Sequence, residues 1–433
     1  MDSSYLIIVL VLLGMMAATI PVFLTLFFTA VLGFLIFAPN LPMLVLAQSL
    51  FRSMDNFALV VVLFFVLCGN IMTSGSIVHK LIRFANVVVG WLPGGLAMAG
   101  ILACGLFGAI SGSTVATVVA IGGFMIPALL DNHYDEKFAL GAMTSAPNLG
   151  VIIPPSISMI LYSMVAAVSL EGLFLTGFVP GVLIMAGMCG YSYFWAKRHP
   201  GFKEAPKPTW SEFLRAFREG FWSLMLPVII FGGIFSGMFT ANEAAVVACV
   251  YAFCVELFIH KDMKFSQVKK VMVNSAVTSA TLLIIVAGAT CFGRFLTLEA
   301  IPAKVSELVV GSITQPWLFL LTVNFLLLII GMFMDIVSAT LILGPIFLPM
   351  LEKYGVNPVH FGLLMTVNLA IGYCTPPLGV SLYITGALAN RDLIYVSRAV
   401  LPFVVIQIAV LILMTYWPDA VLWLPRLVGW NVG

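Results

Sequence analysis

Apolar residues run through this chain in long blocks, and the polar residues that interrupt them fall in two kinds of place. Some sit between blocks and make loops. Others sit in mid-block, where they cannot be loops, and those organise the molecule. Nearly unbroken runs cover residues 5–20, 22–38, 57–73, 173–195, 221–239, 244–259, 276–296 and 395–416. Each comes close to the roughly 20 residues a helix needs to cross a bilayer, so each is predicted as a span. Residues 41–52 form a weaker apolar stretch, predicted to lie along the interface. Residues 77–91 mix His79, Lys80 and Arg83 with aliphatics, the pattern of an amphipathic arm. A second arm is predicted over 298–310.

Four stretches depart from the simple pattern. Residues 94–131 hold Gly108-Ala109-Ile110-Ser111-Gly112-Ser113-Thr114 between two apolar arms, each too short to cross with ease. This predicts a hairpin that enters and leaves on one side. Residues 137–167 are broken at Pro154-Pro155, after Asn148-Leu149-Gly150. Residues 317–351 repeat the hairpin, with Gly331-Met332-Phe333-Met334-Asp335 at its tip, and 359–388 repeat the broken span at Pro376-Pro377. The two proline pairs are 222 positions apart, as are Pro127 and Pro349, and Gly90 answers Gly311. Broken backbone at membrane depth survives only where protein or a water-lined cavity covers it. Paired interruptions in two halves point to a transporter site.

Composition fits this picture. The 433 residues are 62% hydrophobic and 9% charged, against about 25% charged in a soluble domain. The chain is therefore an all-α polytopic membrane protein, with about ten transmembrane helices besides the hairpins. A net charge of +2 gives no reason to expect nucleic acid as a partner. Seven scattered cysteines read as packing residues. The first run lacks a basic leader or cleavage site and is predicted as a retained helix. With the polar connector 197–220 placed in the cytoplasm, alternation puts 15 of the 20 Lys and Arg on that side, Lys203 among them. Both termini are then periplasmic, the hairpins open to opposite compartments, and the halves are inverted repeats. Within the connector, 209–218 is predicted helical, with Thr209 or Ser211 as its cap.

The candidate chemistry sits at the tips. Ser111, Ser113 and Thr114 offer hydroxyls, and helix ends meeting there offer free carbonyls and amides. Such uncharged oxygens suit a sodium ion, while the amides suit a carboxylate. The bland alternative is hydroxyls bonding back to their own helix and glycine easing helix packing; the repeated proline-broken partner tips the reading towards the ion site. Asp335, deep in an apolar run, costs roughly 2.5–3.5 kcal/mol if left charged. It either shapes a second ion site or caps the second hairpin arm, and the one does not exclude the other. Arg294 is a snorkelling anchor or a guanidinium for a substrate carboxylate. Glu243 reads as an acid near a helix start, or more weakly as a docking contact. Enzyme chemistry finds no nucleophile–base pair, no metal-ligand spacing and no nucleotide loop. A passive channel is the other competing class, and closed hairpin tips argue against it.

These same residues carry a family resemblance. Residues 108–117, 149–156, Leu298-Glu299-Ala300-Ile301-Pro302 and Gly372-Tyr373-Cys374-Thr375-Pro376-Pro377-Leu378-Gly379 resemble the large membrane subunit of tripartite ATP-independent periplasmic (TRAP) transporters. The resemblance covers nearly the whole chain. It implies a sodium-driven importer of an organic acid in a bacterial inner membrane, working by an elevator mechanism with two or more Na+. It implies two partners, a periplasmic substrate-binding protein (P-type) and a small four-helix membrane subunit (Q-type). Because the chain begins directly at its first span, the small subunit is expected as a separate polypeptide. Carried over by position, one sodium site falls at Ser111, Ser113, Asn148 and Gly150, and a second at Gly331, Met334, Gly372 and Thr375, supported by Asp335. Substrate candidates are Ser113, Thr114, Arg294 and Thr340, with Arg294 standing where the family more often has an aromatic. The overall run is most similar to the sialic-acid members, with C4-dicarboxylates or another carboxylate as the alternative cargo. On this plan residues 1–93 are scaffold helices and the first arm, and 94–168 are the first transport hairpin with its broken helix. A scaffold helix and the cytoplasmic connector take 169–221, and second-repeat helices with their arm take 222–315. The second hairpin and broken helix take 316–390, and the last helix and tail take 391–433.

Overall fold

The computed structural model describes residues 3–18, 20–39, 42–199, 206–377 and 379–430. Lys203 and Leu378 lie outside the described residues, as does part of the 197–220 connector. Every described element is helical. The first half begins with α1 (Ser3–Ala17), α2 (Val22–Phe37), α3 (Leu44–Met54), α4 (Ala58–Ser74) and the arm α5 (Ile77–Val89). Hairpin 1 comes next: α6 (Gly95–Ser111), then α7 (Thr114–Thr117), which continues through a π-helical turn (Val118–Gly122) into α8 (Gly123–Asp131). Its broken partner comprises α9 (Glu136–Ser145), a 3-10 turn (Ala146–Asn148), α10 (Leu149–Ile152) and α11 (Ile157–Ala166). The half closes with α12 (Leu170–Arg198).

The second half repeats the plan. It opens with α13 (Trp210–Phe235), α14 (Ala241–Cys254), a π-helical end (Val255–His260), α15 (Phe265–Leu298) and the arm α16 (Ile301–Ser312). Hairpin 2 is α17 (Pro316–Phe333) and α18 (Ile336–Tyr354), with broken partner α19 (Pro358–Gly372) and α20 (Val380–Ala389). Then come α21 (Leu393–Tyr416) and a short α22 (Pro418–Leu427). The repeat reaches the capping residues. Ser113 caps α7 and Asp335 caps α18; Asp135 caps α9 and Asn357 caps α19. Both pairs keep the 222-position interval of the proline pairs, and both Pro-Pro bonds are cis.

Two long helices act as rulers for the hairpins. Against the last turns of α12 lie both ends of hairpin 1: a Cβ on Gly94 would stand 2.6 Å from the Ser192 carbonyl, and Tyr134 stacks on Trp195 at 6.4 Å. Its tip is far from there. A Cβ on Gly112 would lie 2.8 Å from the Pro155 carbonyl, and one on Gly177 would lie 2.3 Å from that of Ile152. From Gly177 to Trp195 the helix rises about 27 Å, so the hairpin dips in and returns. Hairpin 2 does the same, with Phe319 stacked on Tyr354 at 4.2 Å where its two arms begin and end. Helix α21 then sets their relative sense. At its start Arg391 and Tyr395 bond to Glu136 beside the mouth of hairpin 1; at its end the Tyr416 hydroxyl donates to the Trp317 carbonyl in the mouth of hairpin 2. Its 24 residues rise about 36 Å. The hairpins therefore open at opposite ends of the molecule.

Outside the hairpins, five described helices are long and apolar enough to span by themselves: α12, α13, α14 with its π-helical end, α15 and α21. The remaining spans are shorter or bent, as in α9–α11, which bends by 40° at its break. Several boundaries differ from the sequence reading. Residues 209–218 and 221–235 form one helix, because nothing between them breaks the backbone; Thr209 is its cap, in a reciprocal box with Glu212, and Ser211 is not. Glu243 likewise completes a capping box with Thr240. Lys269 and Lys270 ride on the first turns of α15 rather than in a loop. Gly311 sits inside the last turn of α16 rather than ending it. Helix α22 was not anticipated: two prolines in a ten-residue segment hid it.

Candidate functional site

At the tip of hairpin 1 the chain turns at Gly112, whose φ of 61° is a conformation glycine adopts without strain. Ser113 then starts the return arm, its hydroxyl accepting the Ala116 amide at 3.4 Å. Thr117 folds back on the same turn: its hydroxyl donates to the Ser113 carbonyl at 2.8 Å and stands 3.4 Å from the Ser111 hydroxyl. Gly150 packs directly beneath, where a Cβ would come within 2.6 Å of the Thr117 hydroxyl and 3.0 Å of the Ser113 carbonyl. Ser111, Ser113 and Gly150 are thus brought together, with Thr117 as an unforeseen fourth.

Asn148 is buried close by, but its side chain is engaged elsewhere. Its amide donates to Gln407 Oε1 at 2.8 Å, and its carbonyl oxygen accepts from the Cys374 thiol. Only its backbone remains for an ion. Gln407, fully buried on α21, also donates to the Ser145 carbonyl at 3.0 Å. Sequence reading missed it because a lone glutamine in an apolar run carries no local signal.

The second tip shows the same close approach. A Cβ on Gly372 would lie 2.5 Å from the carbonyl carbon of Gly331, so the ends of α17 and α19 touch backbone to backbone. Met334 comes three positions after Gly331, and Thr375 three after Gly372; the Thr375 hydroxyl bonds back to the Ile371 carbonyl at 2.8 Å. Asp335 caps α18: it accepts the Ser338 amide at 2.9 Å and a very short bond from the Ser338 hydroxyl. It has no cationic side chain beside it among the described residues. Tyr373, also unforeseen, accepts the Ile336 amide on its hydroxyl at 3.1 Å.

Both tips face one cavity of about 750 Å³, lined by Ser111 to Ala116 from one and by Asp335, Ile336 and Val337 from the other. Thr114 keeps a buried hydroxyl without a partner among the described residues. The donor set is uncharged oxygen, from hydroxyls and helix-end carbonyls, with one carboxylate at the rim. It fits an alkali cation and gives little to a transition metal. Two sequence candidates are not in this cavity. Thr340 is buried one turn further along α18, and Arg294 lies in a separate cavity near the end of α15. Away from the tips, Glu256, His260 and Asp262 place ligand atoms within 4.8 Å of one another, a grouping the linear sequence did not disclose. Glu256 Oε1 is occupied there: it accepts the Ser76 and Ile77 amides at 2.9 Å and so caps the arm α5.

Opposed re-entrant hairpins meeting in one central cavity define an inverted-repeat membrane transporter fold. The chain belongs to the family described as the tripartite ATP-independent periplasmic transporter, DctM component, whose model matches residues 9–420. It is 41% identical to the C4-dicarboxylate TRAP transporter large permease protein of Pseudomonas aeruginosa, over 92% of this chain and 93% of that one. To the sialic acid TRAP transporter large permease protein of Vibrio cholerae it is 34% identical, over 96% and 97%. In fold it is similar to the YdaH transporter of Alcanivorax borkumensis, with a TM-score of 0.63 at 16% identity, over 89% and 90% of the two chains. A transporter component is not an enzyme, and a multi-span member of this family belongs in the inner membrane.

Proposed function

We propose that this chain is the membrane pathway of a sodium-coupled importer of small organic anions. The observation that carries the reading is the shared cavity between two opposed tips, each built on a glycine contact and a capped return helix. Sodium, held by hydroxyls and helix-end carbonyls near Ser111, Ser113 and Gly150 and near Gly331 and Gly372, would fix both tips and favour an anion beside their amides. The bundle of hairpins and broken helices, loaded, would then slide against the outer helices, with α5 and α16 as linking arms. A periplasmic binding protein would supply the cargo, and a small membrane subunit would brace the outer helices. The excess of Lys and Arg beside the mouth of hairpin 1 supports a cytoplasmic position for that mouth and periplasmic termini.

For cargo, the higher identity lies with the relative named for C4-dicarboxylates rather than the one named for sialic acid. It favours a short dicarboxylate and weighs against the sialic-acid leaning of the sequence motifs. Uptake into proteoliposomes holding this chain and its small-subunit partner, with binding protein outside, tests the coupling. Uptake should follow an inward sodium gradient; equal rates in sodium and potassium would reject it.

A further inference from the structure

A second cavity, of about 610 Å³, lies beyond hairpin 2 from the tip cavity. Helices α4 and α15 organise the pair. In the tip cavity they contribute Asn70 and Thr73, and Thr278 and Leu282; in the second, Thr290 and Arg294 come from α15, with Asn56 just before α4. Between the two stands the second arm of hairpin 2, which offers Asp335 to Val337 to one cavity and Leu341 and Pro345 to the other. Hairpin 2 is thus the partition between them, and the second cavity lies on the side to which that hairpin opens.

Its lining holds two arginines and no acid. Arg52 comes from the last turn of α3 and Arg294 from near the end of α15. Both are exposed, and neither is ion-paired among the described residues. Either alone would read as a membrane-surface anchor or a helix-end cation. Two in one acid-free cavity raise each other's energy, and an anion between them relieves it. Guanidinium is also the group best shaped for a carboxylate, and Gln48 and Asn56 add amides to the same wall. The volume falls within the range of small-molecule sites.

We infer that Arg52 and Arg294 form a reception site for a small organic dianion, one guanidinium for each carboxylate, loaded before the partition opens. The inference rests on the reading of the chain as an importer of organic anions. Its role would be to concentrate cargo at the mouth, as clefts of one charge sign do, and to discriminate against cations and neutral solutes.

Phenylglyoxal modification of the purified chain tests the site without relying on transport. Succinate is the probe, and modification is quantified at each arginine by mass spectrometry. Saturating succinate should slow modification of Arg52 and Arg294 about tenfold, as occupancy at about ten times Kd requires, and leave the exposed Arg198 and Arg215 unaffected. No protection would overturn the proposal. So would protection by the binding protein and not by succinate, which would make the pair a docking contact. In proteoliposomes, R52Q/R294Q should raise KM for succinate about tenfold with little change in kcat, the loss of one charge-assisted contact. R52K/R294K should recover part of it. A fall in kcat with KM unchanged would also overturn the proposal. If uptake proves independent of sodium while protection persists, the coupling falls and the anion site stands.

Discussion

Gln407 shows how one residue can tie distant parts of this fold. It meets Asn148 from 259 positions away and leaves both side chains satisfied inside a fully buried layer. Gln407→Leu would strand the Asn148 amide, at about 1–3 kcal/mol for a buried unsatisfied group. The expected result is a lower melting temperature in detergent, with Gln407→Glu milder because it keeps an acceptor. At this scale the sequence was legible where chemistry is local. Ser113, Asp335, Thr209 and Glu243 are recognisable as capping residues because each bonds within three residues of itself. The sequence was illegible where the partner is remote, as for Gln407 and Tyr373, and misleading for Arg294, whose neighbourhood depends on how α15 packs.

Among the elements, the broken helices and hairpins hold each other through glycine. Gly108 meets Gly150 as Gly331 meets Gly372, and a Cβ at any of the first, second or fourth would come within 2.6 Å of a neighbouring atom. Gly150→Ala and Gly372→Ala should each cost about 1–3 kcal/mol by overpacking, and both should abolish cargo uptake while the protein still reaches the membrane; wild-type uptake in either would show that the tips tolerate separation. The arm α5 depends on a different device. Glu256, fully buried on α14's π-helical end, accepts two amides at the arm's first turn, and Gly75 leaves it room. Glu256→Ala should destabilise the protein by about 1.5–3 kcal/mol, the worth of a hydrogen bond to a charged group, whereas Glu256→Gln should retain most of the stability; unfolding curves for the two variants decide. Hydrophobic blocks located nearly every helix. They could not show that α13 and α15 continue past the apolar run into charged turns, because length there is set by caps and packing rather than by greasiness.

Across the whole molecule, the opposed mouths yield a test that needs no transport. Lys137→Cys, beside the mouth of hairpin 1, and Gln315→Cys, at the start of hairpin 2, should react with a membrane-impermeant maleimide from opposite faces of sealed vesicles. Labelling of both from one face would contradict the inverted arrangement. The repeat itself was legible from two proline pairs, since a backbone break leaves a mark that no side-chain substitution hides.

Glycines without room for one more carbon also bear on how such a protein diversifies. Positions that admit nothing else are closed to adaptation, so a change of diet has to be written on the cavity rim, at places such as Val66, Asn70 and Ile157. Gene duplicates of this chain can then acquire new tastes while the hinge-work that closes over the meal stays the same.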